Sequence, residues 1–413
     1  MSKRRRIYIL GVTTLVYFFY LLDRNAIIVT QELFKAEFQL SDTQVGLATG
    51  ILYGVAYAAV GIPIGRLIAR THRVRLLSTL VAVWSGVTLL SGMATQFWHL
   101  AVARVLVGAA ESGGAPVSLS ILHPLFGKNR RATVSSIFFA GAGLGVIVSF
   151  LAGGWIASNY GWRAVFYCYG APGLLLAVLI FFTIPESPRV PIDPNAPSSS
   201  ALRDAFSLLR DRRLLPIYIG SVLFSTTNAG IGAWMVPLLM RAHHFTLPQA
   251  GAFVALALGV FGTVGSLVLA VIADRAERAW RGGLLLVLAI AAIANGIAGV
   301  AAALAGDPTI VALCLCLWGI TGLAYSGPSN AAIGEIAPPH LTGVGFSLFA
   351  VLCNLIGSGL GPLAAGIISD SYAFSMGDQS VRPAIGIIAC VQVFTAVAYI
   401  IAVRRSRVGQ LLF

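Results

Sequence analysis

The run from Leu284 to Leu304, LLLVLAIAAIANGIAGVAAAL, holds 21 residues and no charge. As a helix rising ~1.5 Å per residue it would cross the ~30 Å hydrocarbon layer of a bilayer. Similar runs recur along the whole chain. A soluble domain of 413 residues that is 57% hydrophobic and 10% charged would have no way to bury so much apolar surface. A transmembrane barrel needs apolar and polar residues by turns, which this run lacks. The sequence therefore predicts an all-α membrane protein.

Apolar runs of roughly 20 residues between charge-bearing breaks predict twelve transmembrane helices. Six centre near Val16, Gly54, Val83, Gly108, Gly145 and Leu174, and six near Phe224, Leu258, Ile293, Gly319, Leu355 and Gln392. The first follows MSKRRR, lacks a small-residue cleavage site and carries Asp23 and Arg24, so it reads as a retained span and not a signal peptide. Of the 28 Lys and Arg, 22 fall on one side of these spans, and Lys35, Arg163, Arg241 and Arg382 fall on the other. That bias predicts that both termini are cytoplasmic. Topology accounts for the net charge of +13, and the basic residues are scattered over short loops, so no nucleic-acid partner is expected.

Residues 185–200, PESPRVPIDPNAPSSS, cannot form a span, because Pro and Ser favour extended or turning backbone. ALRDAFSLLRDRRLL then places apolar residues at helical spacing, as in a short amphipathic helix on the cytoplasmic side. The expected organisation is an N-terminal bundle of six helices (1–184), a cytoplasmic linker with its amphipathic helix (185–212) and a C-terminal bundle of six (213–413). The halves echo each other. GRLIARTHRVR after the second span aligns with AVIADRAERAW after the eighth, 205 residues later, matching Arg70 with Arg275 and Arg73 with Arg278. Small residues in GAGLGVIVSFLAGG and NLIGSGLGPLAAGI allow close helix approach in the fifth and eleventh spans. Tandem pseudo-symmetric halves suit a transporter that holds its substrate near the midplane.

The charges inside spans narrow this further. Sorting the acids and bases by position leaves Asp23, Arg24, Arg104 and Glu111 well inside, all in the first six spans and none in the last six. A charge at that depth costs several kcal/mol unless paired or solvated, so it is a functional candidate. Arg104, Gly108 and Glu111 recur at spacings of four and three, which puts them on one stripe, with Gly108 leaving room beside both charged side chains. Counting from the span ends, Arg104 lies ~9 Å and Glu111 ~20 Å from one face, and Asp23 ~24 Å from the other. Asp23 and Arg24 are thus expected nearer the height of Arg104. A deep carboxylate whose cationic partner comes and goes can couple transport to protons. Glu111 is the expected proton carrier and Arg104 its partner or an anion binder, with Asp23 and Arg24 in the same proton-coupling set. Arg24, Tyr53, Tyr57, Asn228, Tyr325 and Asn354 are further candidates for lining the substrate cavity.

The six His show no metal-ligand spacing, and the five Cys lie in apolar spans without a paired motif. GAGLG lies inside a span and not after a strand, so it is no dinucleotide fingerprint. No nucleophile with a base and no metal cluster is visible. Neither an enzyme activity nor a cofactor is expected.

RVLVGAAESGGAP in the fourth span, GWRAVFYCYGAPGLL opening the sixth and the basic loop after the second resemble the major facilitator superfamily. LLDRNAI, LSDTQVGL, GIPIGRLIARTHR, FWHLAVARVLVGAAES and FGKNRRATVSSIF resemble its spinster-like branch, especially bacterial members. The resemblance implies the major facilitator fold, alternating access, a monomer in a bacterial inner membrane, and coupling duties for the first-span Asp-Arg pair and the fourth-span Glu. It also implies a cytoplasmic gate at Arg70, Arg73, Asp274 and Arg275. One departure stands out: Ala69 occupies the position where the family loop has Asp, whereas the second copy keeps Asp274. A looser gate on the N-terminal side is the expectation. One wall of charges facing an apolar wall suits an amphiphile such as a lysophospholipid or sphingoid phosphate. The anion/cation symporter branch shares the DR and the G-x-x-E, so a small organic anion is the alternative substrate. Protons and membrane lipids complete the expected partners.

Overall fold

The computed structural model describes residues 2–126, 130–186 and 201–408. Lys128, residues 187–200 of the expected linker and the side chain of Ala69 lie outside the described residues, so the Ala69 departure is not placed.

Among the described residues, eleven helical stretches are long and apolar enough to cross a bilayer. The last, Thr342–Arg405, has 64 residues. It turns back at a 3-10 turn, Gly377–Ser380, where Gly377 adopts φ 54, and so makes two crossings. The described residues therefore hold twelve crossings: α1 (Lys3–Phe38), α2 (42–70), α3 (Arg73–Ser91), α4 (Phe97–Leu125), α5 (Arg131–Tyr160), α6 (Trp162–Thr183), α7 (Leu215–Ala242), α8 (Leu247–Ala279), α9 (Gly283–Leu304), α10 (Pro308–Ile336), α11 (342–376) and α12 (Val381–Val408). The amphipathic stretch forms a helix, Ala201–Arg210, before α7. Large apolar side chains such as Leu175, Phe182, Leu313 and Phe394 are exposed, as a hydrocarbon solvent permits.

The chain divides into two units. The first holds Met1–Leu40, Leu52–Ala196 and Thr246–Ala255; the second holds Ser41–Ile51, Pro197–Phe245 and Leu256–Phe413. In the first, α1 lies along α5 because the glycines of GAGLG offer no side chain. A Cβ at Gly141 would meet the Thr14 carbonyl oxygen at 2.5 Å, and one at Gly145 that of Phe18 at 2.6 Å. Trp84, Phe138, Val117 and Ile180 fill the core of this unit. In the second, Phe224, Leu288, Phe349 and Tyr399 form the core. Asn295 joins three of its helices: its amide donates to the Trp318 carbonyl (3.0 Å) and to Thr321 Oγ1 (2.9 Å), and accepts from Gln392 Nε2 (2.9 Å).

The helix starts repeat the internal symmetry. Ser41 opens α2 with a capping box closed by Gln44, and Thr246 opens α8 with one closed by Gln249. These two caps lie 205 residues apart, the offset that aligns Arg70 with Arg275. Each satisfies two amide donors that a helix start otherwise leaves open.

Candidate functional site

The site grows from one close approach. A Cβ at Gly108 would sit 2.5 Å from the carbonyl oxygen of Tyr53 and 3.1 Å from its Cα. Gly108 thus admits the backbone of α2, which differs from the expected role of making room for the charged chains beside it. With α2 held there, the Tyr53 side chain lies between the two charges of the Arg104, Gly108, Glu111 stripe. Its hydroxyl donates to Glu111 Oε2 at 2.8 Å, and the Arg104 guanidinium carbon stands 5.1 Å from its ring centroid. Arg24 of α1 approaches the same ring at 4.8 Å. Arg24 Nη1 also donates to the Tyr20 hydroxyl (3.2 Å), which pairs with the Tyr53 hydroxyl (3.2 Å). A chain of two hydroxyls therefore links Arg24 to Glu111. Tyr17 stacks on Tyr20 at 5.1 Å, and Tyr57 tilts against Tyr53 at 5.8 Å, so aromatic rings wall the cluster.

Burial is nearly complete: Glu111 is 0% exposed, Asp23 1%, Tyr53 2% and Arg104 4%. Among the described residues, none of the four charges forms a direct ion pair with another. Among the described residues, Glu111 Oε1 and Arg104 Nε have no hydrogen-bond partner, and the Asp23 carboxylate faces the Ser85 hydroxyl without a well-formed hydrogen bond. Two carboxylates and two guanidiniums balance in number, yet an aromatic ring takes the place where a salt bridge would form. Buried polar atoms left open in this way cost free energy and mark a site that binds something or changes its pairing. Sequence reasoning named Tyr53 and Tyr57 but missed Tyr20 and Ser85. A tyrosine one turn before an Asp-Arg pair was the available signal for Tyr20.

The remaining substrate candidates, Asn228, Tyr325 and Asn354, belong to the second unit. Asn228 Nδ2 donates to the Gly322 carbonyl (2.6 Å), while its Oδ1 is buried without a partner. Tyr325 stacks on Phe224 at 5.1 Å, and Asn354 Nδ2 bonds the Ala350 carbonyl one turn back. At the predicted gate, Arg73 Nη1 donates to the Ser120 carbonyl at 3.0 Å. Glu186, which sequence reasoning missed, accepts from the backbone amides of Arg73 (3.0 Å) and Val74 (3.1 Å) and so caps α3. Asp274 offers its backbone carbonyl to Arg278 Nε, and Glu277 caps α9 through the amides of Gly282 and Leu284. No side-chain bond joins Arg70, Asp274 or Arg275 to another described residue.

The expectation that the last six spans hold no buried charge fails. Arg241, at the end of α7, has a side chain 9% exposed and grips Asp42 with two bonds, Nη1 to Oδ2 at 2.8 Å and Nη2 to Oδ1 at 2.9 Å. Ser369 Oγ donates to Asp42 Oδ2 at 2.6 Å, and Asp370 accepts from the backbone amides of Asp42 (2.9 Å) and Thr43 (2.7 Å). Each of these residues reads as a span end in the sequence, which hid their burial.

The twelve crossings, the internal repeat and the buried charges agree with the family model for the Major Facilitator Superfamily, which matches residues 13–362. The chain belongs to the Major Facilitator Superfamily. This membership makes it an integral multi-pass membrane transporter and not an enzyme. The spinster-like resemblance also holds. The crystal structure of a bacterial homologue of the human lysosomal transporter Spinster, inward-facing and unoccupied, superposes with a TM-score of 0.86 at 25% identity, covering 98% of each chain. An MFS-type efflux pump of Mycolicibacterium smegmatis is 29% identical over 407 residues, 98% of this chain and 94% of its own. The sphingosine-1-phosphate transporter SPNS2 of Danio rerio is 29% identical over 217 residues, 50% of this chain and 42% of its own length.

Proposed function

We propose that this transporter couples the movement of an amphiphile with a charged head, such as a lysophospholipid or sphingoid phosphate, to protons by alternating access. The observation that carries the proposal is Glu111: fully buried, held by one tyrosine hydroxyl, with its second oxygen open and two guanidiniums kept off it by the Tyr53 ring. A carboxylate so placed can take up a proton without first breaking an ion pair. A small rotation of the Arg24 or Arg104 side chain past Tyr53 would supply a cation and favour release. Arg24 and Arg104 also suit a phosphate or carboxylate head, and an arriving anion would draw them further from Glu111. The Glu111 carboxylate and the substrate anion thus compete for the same two cations, so proton and substrate favour each other's binding, which is coupling in the thermodynamic sense. The aromatic rings of Tyr17, Tyr20 and Tyr57 offer apolar surface to a tail. Similarity to SPNS2 and to the Spinster homologue supports the lipid-like class. Both termini are assigned to the cytoplasm on the distribution of Lys and Arg.

The test is uptake by reconstituted proteoliposomes of a lysophospholipid series against a sugar acid, with and without a pH gradient. The reading predicts gradient-dependent movement of the lysophospholipid; gradient-dependent uptake of the sugar acid alone would replace it with the organic-anion reading.

A further inference from the structure

A groove of about 410 Å³ runs between α9 and α12 in the second unit, far in sequence from the charged cluster. Val300, Leu304, Met376, Gly386, Ile387 and Cys390 line it, and its wall is almost wholly apolar. Leu304, Met376, Ile387 and Cys390 are exposed, so the groove opens onto the surface that the bilayer would wet. Arg382 sits at one end of it, at the start of α12.

The environment of Arg382 is unusual for a guanidinium. Its Nε is buried with no hydrogen-bond partner, and Nη2 reaches only His243 Nε2, at 3.4 Å. His243 cannot balance the charge, because an imidazole is neutral or positive and never anionic here. Asp378, one turn earlier, makes no ion pair with Arg382, whereas the other basic side chain at this end of the unit, Arg241, has Asp42. Among the described residues Arg382 has no carboxylate. A guanidinium without a carboxylate, lining an apolar channel, calls for an anion that carries hydrocarbon.

We infer that this groove is a binding site for an anionic membrane phospholipid, with its phosphate on Arg382 and one acyl chain along the groove between α9 and α12. A free phosphate would satisfy Arg382 but leave the channel unfilled, and a neutral alkyl chain would fill the channel but leave the guanidinium unbalanced. The phospholipid does both. The site belongs to the surface of the second unit and does not depend on the transport reading.

The test uses the full-length protein in nanodiscs of equal phosphatidylglycerol and phosphatidylcholine, with the lipids retained after detergent extraction counted by native mass spectrometry. The wild type is expected to retain phosphatidylglycerol over phosphatidylcholine by about fivefold, the preference that ~1 kcal/mol per arginine near a membrane surface gives. Arg382→Gln should bring that ratio to about one. Cys390→Phe, at an exposed lining position that leaves Arg382 in place, should lower retention of both lipids and covers the case in which Arg382→Gln does not fold. Unchanged preference in Arg382→Gln, unchanged retention in Cys390→Phe, or loss of the bound lipid to millimolar inorganic phosphate would each overturn the inference.

Discussion

The pair of Asp42 and Arg241 allows a prediction with a calculable size. The two side chains are 3% and 9% exposed and share two charge-assisted bonds of 2.8 and 2.9 Å. Arg241→Gln removes the guanidinium and leaves the Asp42 carboxylate buried with a neutral neighbour. Breaking a buried pair from one side costs ~3–5 kcal/mol, because the remaining charge stays desolvated. For a unit of this size each kcal/mol moves the melting temperature by roughly 2–4 °C, so a fall of about 10 °C is expected. The double variant Asp42→Asn/Arg241→Gln removes both charges and should recover more than half of that fall, since no bare charge remains. The assay is intrinsic tryptophan fluorescence during thermal unfolding in detergent for the wild type, both single variants and the double variant. A change below about 2 °C in Arg241→Gln, or a double variant whose fall equals the sum of the singles, would refute the reasoning.

Three further outcomes follow from the geometry. Tyr53→Phe removes the hydroxyl that Glu111 accepts but keeps the ring under both guanidiniums, so proton-driven uptake should fall about tenfold, the effect of one hydrogen bond to a charged group, with an unchanged elution profile. Gly108→Leu would press a side chain into the Tyr53 backbone, a clash costing ~1–3 kcal/mol or more, and should be seen as lost monodisperse protein on fluorescence-detected size exclusion. Asp307 caps α10, and the amides of Ile310 and Thr309 hold its pKa below the ordinary Asp value of 3.8. Its contribution is therefore full above that value and is lost as pH falls through the lower folded value. Melting curves should show a penalty for Asp307→Ala at neutral pH that shrinks in acid.

The spans were legible because hydrocarbon admits only backbone that satisfies its own hydrogen bonds, which turns hydropathy into topology. The stripe of Arg104, Gly108 and Glu111 was legible because helical spacing alone puts residues four and three apart on one face. What Gly108 faces was not legible. It depends on how α2 crosses α4, and that crossing decides that Tyr53 and not a cation touches Glu111. Asp42 and Arg241 escaped because they are 199 residues apart and each lies at a span end, where a charge normally meets water. Glu186 escaped for a similar reason: the amides it caps, on Arg73 and Val74, lie more than a hundred residues earlier. Asn295 and Gln392 lie in apolar runs, and their pairing across α9 and α12, with the bonds of Asn295 to Trp318 and Thr321, explains why both are tolerated.

The central claim is that Glu111 carries the coupling proton. Uptake of a lysophospholipid by proteoliposomes bearing Glu111→Gln measures this most directly, under an imposed pH gradient and in substrate exchange without one. The account predicts that the gradient no longer drives accumulation while exchange persists, because the neutral amide fills the same space beside Tyr53 but cannot take up and release a proton. Accumulation that still follows the pH gradient as in the parent protein would contradict it.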